Sequence, residues 1–134
     1  MPPEANRDEL SRRVDAIEGG YEFMLAYAAQ GVATDVGAAS GEKIREYLRR
    51  FDQALTGLAD LYRGLASREG KGSPEALTAF LDVLARDAAA SQAAIQLVLA
   101  QPGISSQLVD NLNASIHVRA LLTDIFLIDE LLKK

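Results

Sequence analysis

The stretch from Glu42 to Ala66 reads EKIREYLRRFDQALTGLADLYRGLA, and its apolar residues recur every three or four positions. Residues with this spacing share one face of an α-helix. The stripe consists of Ile44, Leu48, Phe51, Leu55, Leu58, Tyr62 and Leu65. The alternation of apolar and polar residues that is typical of strands is not sustained anywhere in the chain. We therefore predict an all-α protein whose second helix covers residues 41–69.

Turn-forming residues mark the ends of this helix and of its neighbours. In GKGSP, Ser73 suits the N-cap of a helix and Pro74 its first position. Pro102 disfavours helical geometry in the residue before it, and Gly31 and Ser40 separate the first two helices. We predict four helices, over residues 7–30, 41–69, 74–100 and 104–133. Short connections favour an antiparallel up-down-up-down four-helix bundle, a single domain over residues 1–134 in which residues 1–6 are disordered.

Composition excludes several classes of protein. The 134 residues carry a net charge of −5 and include no cysteine, so disulfides and thiolate metal sites are excluded. Arg45, Arg49 and Arg50 alternate with acidic residues, which indicates a solvated helix face and no nucleic-acid partner. No apolar run approaches the roughly 18 residues of a membrane span, and the N-terminus does not resemble a secretion signal. We expect a cytoplasmic protein with no membrane partner.

The fourth predicted helix carries more apolar surface than one core face requires. One stripe follows Ile104, Leu108, Val118, Leu122, Ile125 and Leu132, with Asn111, Ser115 and Asp129 interrupting it. A second stripe consists of Val109, Leu112, Ile116, Ala120, Thr123, Leu127 and Leu131. Only a narrow polar ribbon remains for water, formed by Asp110, Asn113, His117 and Asp124. The second stripe is either a wide core face or a contact surface for another protein, most simply a second copy in a homodimer.

Glycines in the predicted helices raise the same question. Gly57 and Gly64 lie one heptad apart beside Leu61, away from the core stripe of the second helix. They form either a smooth surface that another backbone can approach or tolerated surface positions. Gly19 and Gly20 in the first helix mark either a close approach or a kink.

Residues that could carry chemistry are sparse. His117 is the one histidine of the chain, and neither a Glu-x-x-His pair nor a nucleophile turn accompanies it. The acidic row on the first helix, Asp15, Glu18 and Glu22, points away from the predicted core. We therefore predict no catalytic residue, no metal site and no cofactor.

Arg119 lies between the two apolar stripes of the last predicted helix. Its side chain is expected either to form a buried ion pair with a carboxylate of another helix or of the other subunit, such as Asp60 or Asp82, or to pack its stem while its head reaches water. Because the pattern does not decide between them, both interpretations stay open.

Three functions follow from these patterns. The first is a non-enzymatic accessory, adaptor or assembly protein that acts as a homodimer through its helical surfaces, or through contacts with another protein. The second is a binding module for a small apolar ligand, held between helices or at the dimer seam. Its candidate pocket residues are Tyr21, Met24, Tyr62 and Phe80. The third is an enzyme that uses His117 with nearby carboxylates.

Overall fold

The structure is a computed structural model that describes residues 3–39, 41–69 and 72–132. Six α-helices make up most of this part of the chain, and no strand occurs in it. In chain order they are α1 (Pro3–Gln30), α2 (Gly41–Leu55), α3 (Leu58–Glu69), α4 (Pro74–Leu99), α5 (Ser106–Ala114) and α6 (Ile116–Leu132). The all-α class is confirmed. The expected number of helices is wrong, because the predicted second and fourth helices are each divided in two.

The outer ends of the helices follow the turn signals of the sequence. Ser73 caps α4, and its hydroxyl accepts a hydrogen bond from the amide of Ala76 at 3.2 Å. Gly31, with φ 68°, follows the last residue of α1. The first helix begins at Pro3, four residues before its predicted start. Residues 1 and 2 of the segment expected to be disordered, the predicted cap Ser40 and residue 133 lie outside the described residues.

The first internal break lies at Gly57, whose φ of 74° is left-handed. That conformation costs other L residues about 1 kcal/mol or more. The break leaves carbonyl groups at the end of α2 without helical partners, and side chains of other helices donate to them. Arg13 of α1 donates to the carbonyl oxygen of Thr56, and Gln92 of α4 donates to that of Asp52 at 2.9 Å. Gly57 therefore separates two helices and is not the helix-interior glycine that we predicted.

The second break lies at Ser115, an extended residue with φ −62° and ψ 142°. Its amide donates to the carbonyl oxygen of Asn111 at 3.0 Å, and its hydroxyl donates to that of Leu112 at 2.6 Å. These bonds close the end of α5. One extended residue also resets the rotational phase of the chain, so an apolar stripe counted through residues 104–133 does not stay on one face.

The core lies between α1 and α4. The first helix packs on α2, α3 and α5, whereas α4 packs on α2, α3, α5 and α6. A Cβ atom on Gly20 would lie 2.9 Å from a ring carbon of Phe51, so this glycine lets α1 and α2 approach closely. A close approach between these two helices therefore explains the glycine at position 20. The largest fully buried side chains include Tyr27, Tyr62, Phe51, Ile17, Met24, Ile44 and Leu48.

A polar joint of Tyr27, Asp35, Arg45 and Ser106 ties the loop after α1 to the connection between α4 and α5. Arg45 Nε donates to Asp35 Oδ2 at 2.6 Å, and Asp35 Oδ1 accepts from the amide of Ile104 at 2.6 Å. The hydrogen bond from Arg45 is the main reason that the pKa of Asp35 lies below its ordinary value. The interpretation of Arg45 as part of a solvated face is therefore wrong.

The same joint closes the C-terminal end of α4 and the N-terminal end of α5. Arg45 also donates to the carbonyl oxygens of Leu99 at 3.1 Å and Gln101 at 2.9 Å. The hydroxyl of Tyr27 donates to the carbonyl oxygen of Ile104 at 2.6 Å. The hydroxyl of Ser106 donates to the backbone carbonyl oxygen of Tyr27 at 2.6 Å. Its hydrogen bonds thus satisfy backbone groups that the helix ends leave unpaired.

Candidate functional site

The outer side of α6 exposes large apolar side chains in a regular pattern. The exposed fractions are 74% for Ile116, 57% for Phe126, 55% for Leu127 and 46% for Leu131. Ile116, Leu127 and Leu131, together with half-buried Ala120, recur at helical spacing and share one side of the helix. This is the C-terminal half of the second stripe predicted from the sequence.

The N-terminal half of that stripe lies elsewhere. Val109 and Leu112 of α5 are 0% and 5% exposed and belong to the core of the chain itself. They are not available to a partner, and our assignment of them to an interface is wrong. The reason is the extended Ser115, which turns α5 and α6 to different phases. Leu121 and Ile128 of α6 are also fully buried and belong to the same core.

Neighbouring α4 contributes apolar residues beside the exposed side of α6. Asp87 of α4 lies close enough to Asp124 of α6 to act on the pKa of its carboxyl group, which indicates the side of α4 that faces α6. Val83, Ala90 and Leu97 follow one another at intervals of seven residues and form a row on α4 beside Asp87. Leu97 is 66% exposed, and Val83 and Ala90 are half-buried. We define the α4/α6 face as Val83, Ala90 and Leu97 of α4 with Ile116, Ala120, Leu127 and Leu131 of α6.

A pair of carboxyl groups lies at the edge of this face. The sequence analysis placed Asp124 on a polar ribbon in water, but the residue is buried. It lies at the edge of the contact between α6 and α4. Burial, with a smaller effect from Asp87, raises the pKa of Asp124 to about 7. Its Oδ2 atom receives no hydrogen bond from an N–H or hydroxyl group of the described residues.

Nearby Ser91 adds a second buried polar group on α4. Its side chain is fully buried, and its hydroxyl has no hydrogen-bond partner in the described parts of the chain. Ser91 lies one helical turn from Asp87, on the same helix. The contact between α4 and α6 therefore contains polar atoms that a fully apolar core would lack.

The remaining glycine positions do not form the smooth surface that we considered. Gly57 lies in the turn between α2 and α3, and Leu61 is half-buried against the core. A Cβ atom on Gly64 would meet nothing within 4 Å. A role of Gly64 in contacts with a partner stays a prediction.

The charged residues singled out on α6 lie at the surface. His117 and Arg119 are both exposed, so Arg119 does not form a buried ion pair within its own chain, while a pair with another subunit stays a prediction. Its candidate partners lie near Arg63 instead, with oxygen–nitrogen distances of 2.6 Å for Asp82 and 3.9 Å for Asp60. Arg119 lies on the exposed side of α6.

Acidic residues do not gather into a metal site in the described parts of the chain. No group of three His, Asp or Glu side chains there could hold a metal ion. The acidic row of α1, Asp15, Glu18 and Glu22, is exposed, as the sequence indicated.

The four candidate pocket residues belong to the core or pack against it. Met24 and Tyr62 are fully buried, and the hydroxyl of Tyr62 donates to Asp129 Oδ1 at 2.7 Å. Tyr21 and Phe80 are half-buried against the same core. Open clefts of about 450 and 470 Å³ lie near the ends of α1 and α4, and none of the four residues lines either of them.

Within the residues described, no helix is long and apolar enough to cross a membrane. Comparisons of the chain with protein-family models, with curated proteins and with solved structures gave no match.

Proposed function

We propose that this protein is a non-enzymatic accessory or assembly protein that acts through the α4/α6 face, with a second copy of the chain as its partner. The observation that carries the proposal is the row of exposed Ile116, Leu127 and Leu131 on one side of α6. Burying side chains of this size is worth about 1.5–3 kcal/mol each. Monomeric proteins seldom leave such residues contiguous and exposed.

Exposed apolar residues outside the face provide a contrast. Leu25 of α1 is 44% exposed and Val36 of the following loop is 70% exposed, but neither continues the row on α6. Single apolar residues at a surface are common and need no partner. A second copy is the economical occupant of the α4/α6 face, because symmetric dimers are the commonest oligomers.

The architecture that presents this face is, in our proposal, an antiparallel four-helix bundle. In it, α2 with α3 forms one bundle helix and α5 with α6 forms another. The contacts support this arrangement, because α1 and α4 each pack on both composite helices but not on one another within the described residues. Diagonally opposite helices of a bundle have this relation.

The other two predicted functions have less support. An enzyme would need partners for His117, which is exposed on the surface of α6. A pocket for an apolar ligand would need space beside Met24 and Tyr62, which are packed in the core. The cytoplasmic location and the lack of nucleic-acid and membrane partners stay predictions.

The mass of the protein in solution tests the proposal when two leucine variants are compared. Leu127→Glu places a charge in the middle of the α4/α6 face, whereas Leu25→Glu places the same charge on α1, which does not pack on α6 within the described residues. Light scattering should give a dimer for the wild type and Leu25→Glu and a monomer for Leu127→Glu. Circular dichroism checks that both variants remain helical. Equal masses for the two variants would contradict the proposal.

A further inference from the structure

The exposed residues of α6 are arranged symmetrically along the helix. Ile116 and Leu131 lie equally far from the middle of the segment, between Thr123 and Asp124, and so do Ala120 and Leu127. This arrangement suits an antiparallel pair of identical helices, because a two-fold axis brings each residue opposite the one equally far beyond the axis. Such a pair places Ile116 against Leu131, and Ala120 against Leu127, of the other copy.

Charges on the same side of α6 follow the same symmetry with opposite signs. Arg119 and Glu130 are both exposed, five residues before Asp124 and six residues after it. A two-fold axis close to Asp124 therefore brings the arginine of each copy opposite the glutamate of the other. With the axis at Asp124, the residues of each hydrophobic pair and of each charge pair are offset along the helix by one residue, a rise of about 1.5 Å.

We infer that two copies of this chain pair their α6 helices antiparallel, about a two-fold axis near Asp124, with Arg119 of each copy beside Glu130 of the partner subunit. This inference rests on the proposed function and specifies the orientation of the dimer. Thr123 lies nearest the axis on the exposed side, where its small side chain permits close approach. Ala120, one turn earlier, does the same, and the larger side chains fill the space on either side.

Reversal of the two charges tests this orientation directly. Arg119→Glu sets two pairs of like charges against one another, and Glu130→Arg does the same with the opposite sign. Each single variant should weaken dimerisation by about tenfold, since the symmetry counts every lost pair twice and exposed pairs are individually weak. The double variant, Arg119→Glu with Glu130→Arg, should return the dissociation constant to within about threefold of the wild type.

Arg49→Glu is the matched control, because Arg49 is exposed on α2, which does not pack on α6 within the described residues. Its dissociation constant, measured by sedimentation at low salt, should equal that of the wild type. The losses in the single variants should also shrink at high salt, as expected for exposed charges.

The outcomes separate the orientation from the dimer itself. Recovery in the double variant supports the antiparallel pairing. A wild-type dimer that Leu127→Glu dissociates, but in which the two charge losses add without recovery, overturns the pairing and leaves the proposed function standing. A wild-type monomer overturns both.

Discussion

Asp124 provides a quantitative prediction about how the stability of this protein depends on pH. The pKa of Asp124 is raised from 3.8 to about 7 in the folded chain. Each pKa unit corresponds to about 1.4 kcal/mol, so the linked change in the free energy of unfolding is at most about 4 kcal/mol. Replacement by asparagine keeps the shape of the side chain and supplies an N–H donor towards Asp87 without an ionisable group.

The direction of this pH dependence follows from whether the carboxyl group of Asp124 is protonated in the folded and in the unfolded chain. Below about pH 4 the carboxyl group is protonated in both the folded and the unfolded chain. Between about pH 4 and pH 7 the unfolded chain releases the proton while the folded chain retains it, so the free energy of unfolding falls as the pH rises. Above about pH 7 both states are ionised and the stabilisation has been lost. Asp124→Asn removes this dependence.

Urea unfolding followed by circular dichroism measures the effect, at one fixed protein concentration because dimerisation also contributes to stability. We expect Asp124→Asn to equal the wild type within about 1 kcal/mol at pH 4 and to exceed it by up to about 4 kcal/mol at pH 8. Asp110→Asn, at an exposed aspartate of α5, should leave the profile of the wild type unchanged. Parallel stability profiles for Asp124→Asn and the wild type between pH 4 and pH 8 would refute the reasoning.

Three further predictions concern the fold and use the same unfolding assay. Gly20→Ala should lower the free energy of unfolding by about 1–3 kcal/mol, because the new Cβ atom would lie 2.9 Å from the ring of Phe51; no loss would mean that α1 and α2 are not so closely packed. Arg45→Met should cost about 3–5 kcal/mol, since it leaves a buried carboxylate and two carbonyl groups without their donor; a loss below about 1 kcal/mol would contradict the polar joint. Gly57→Ala should lower the free energy of unfolding by about 1 kcal/mol because φ is 74° at this position. Gly64→Ala should raise it by up to about 1 kcal/mol, because Gly64 lies within a helix and a Cβ atom there meets no neighbour. Effects of the same sign would contradict the helix break at Gly57.

The sequence predicted the helical class and most helix ends because both depend on local signals. The apolar spacing from Ile44 to Leu65 reflects a buried face, because all seven residues of this stripe are buried in the structure. Ser73 and Pro74 mark the start of α4 through hydrogen bonding and backbone geometry within one turn. Such signals need no knowledge of the rest of the chain.

The two breaks could not be placed from the apolar pattern alone. The core stripe of the second predicted helix continues through Gly57, since buried Leu55 and Leu58 lie on either side of it. Ser115 likewise carries no strong signal, because serine is tolerated within helices. Because the change of phase at Ser115 was not predicted, Val109 and Leu112 of the core were assigned to a surface stripe.

The polar contacts depend on residues far apart in the chain. Arg45 reaches the carbonyl oxygen of Leu99 across 54 positions, and its own neighbours in sequence indicated only a solvated face. Asp87 and Asp124 come together because α4 and α6 pack side by side. The sequence shows Asp124 only as a single aspartate at the edge of an apolar stripe. Exposed aspartates have the same pattern, so the burial of Asp124 could not be predicted.

The mass of the wild-type chain across concentration tests the central claim, that the α4/α6 face joins two copies, most directly. Sedimentation equilibrium from about 1 to about 100 micromolar should reveal a species of about 29 kDa, twice the 14.4 kDa of the chain. The proportion of that species should rise with concentration as a monomer–dimer equilibrium requires. A mass of 14.4 kDa at every concentration would contradict the claim and leave the face without its proposed partner.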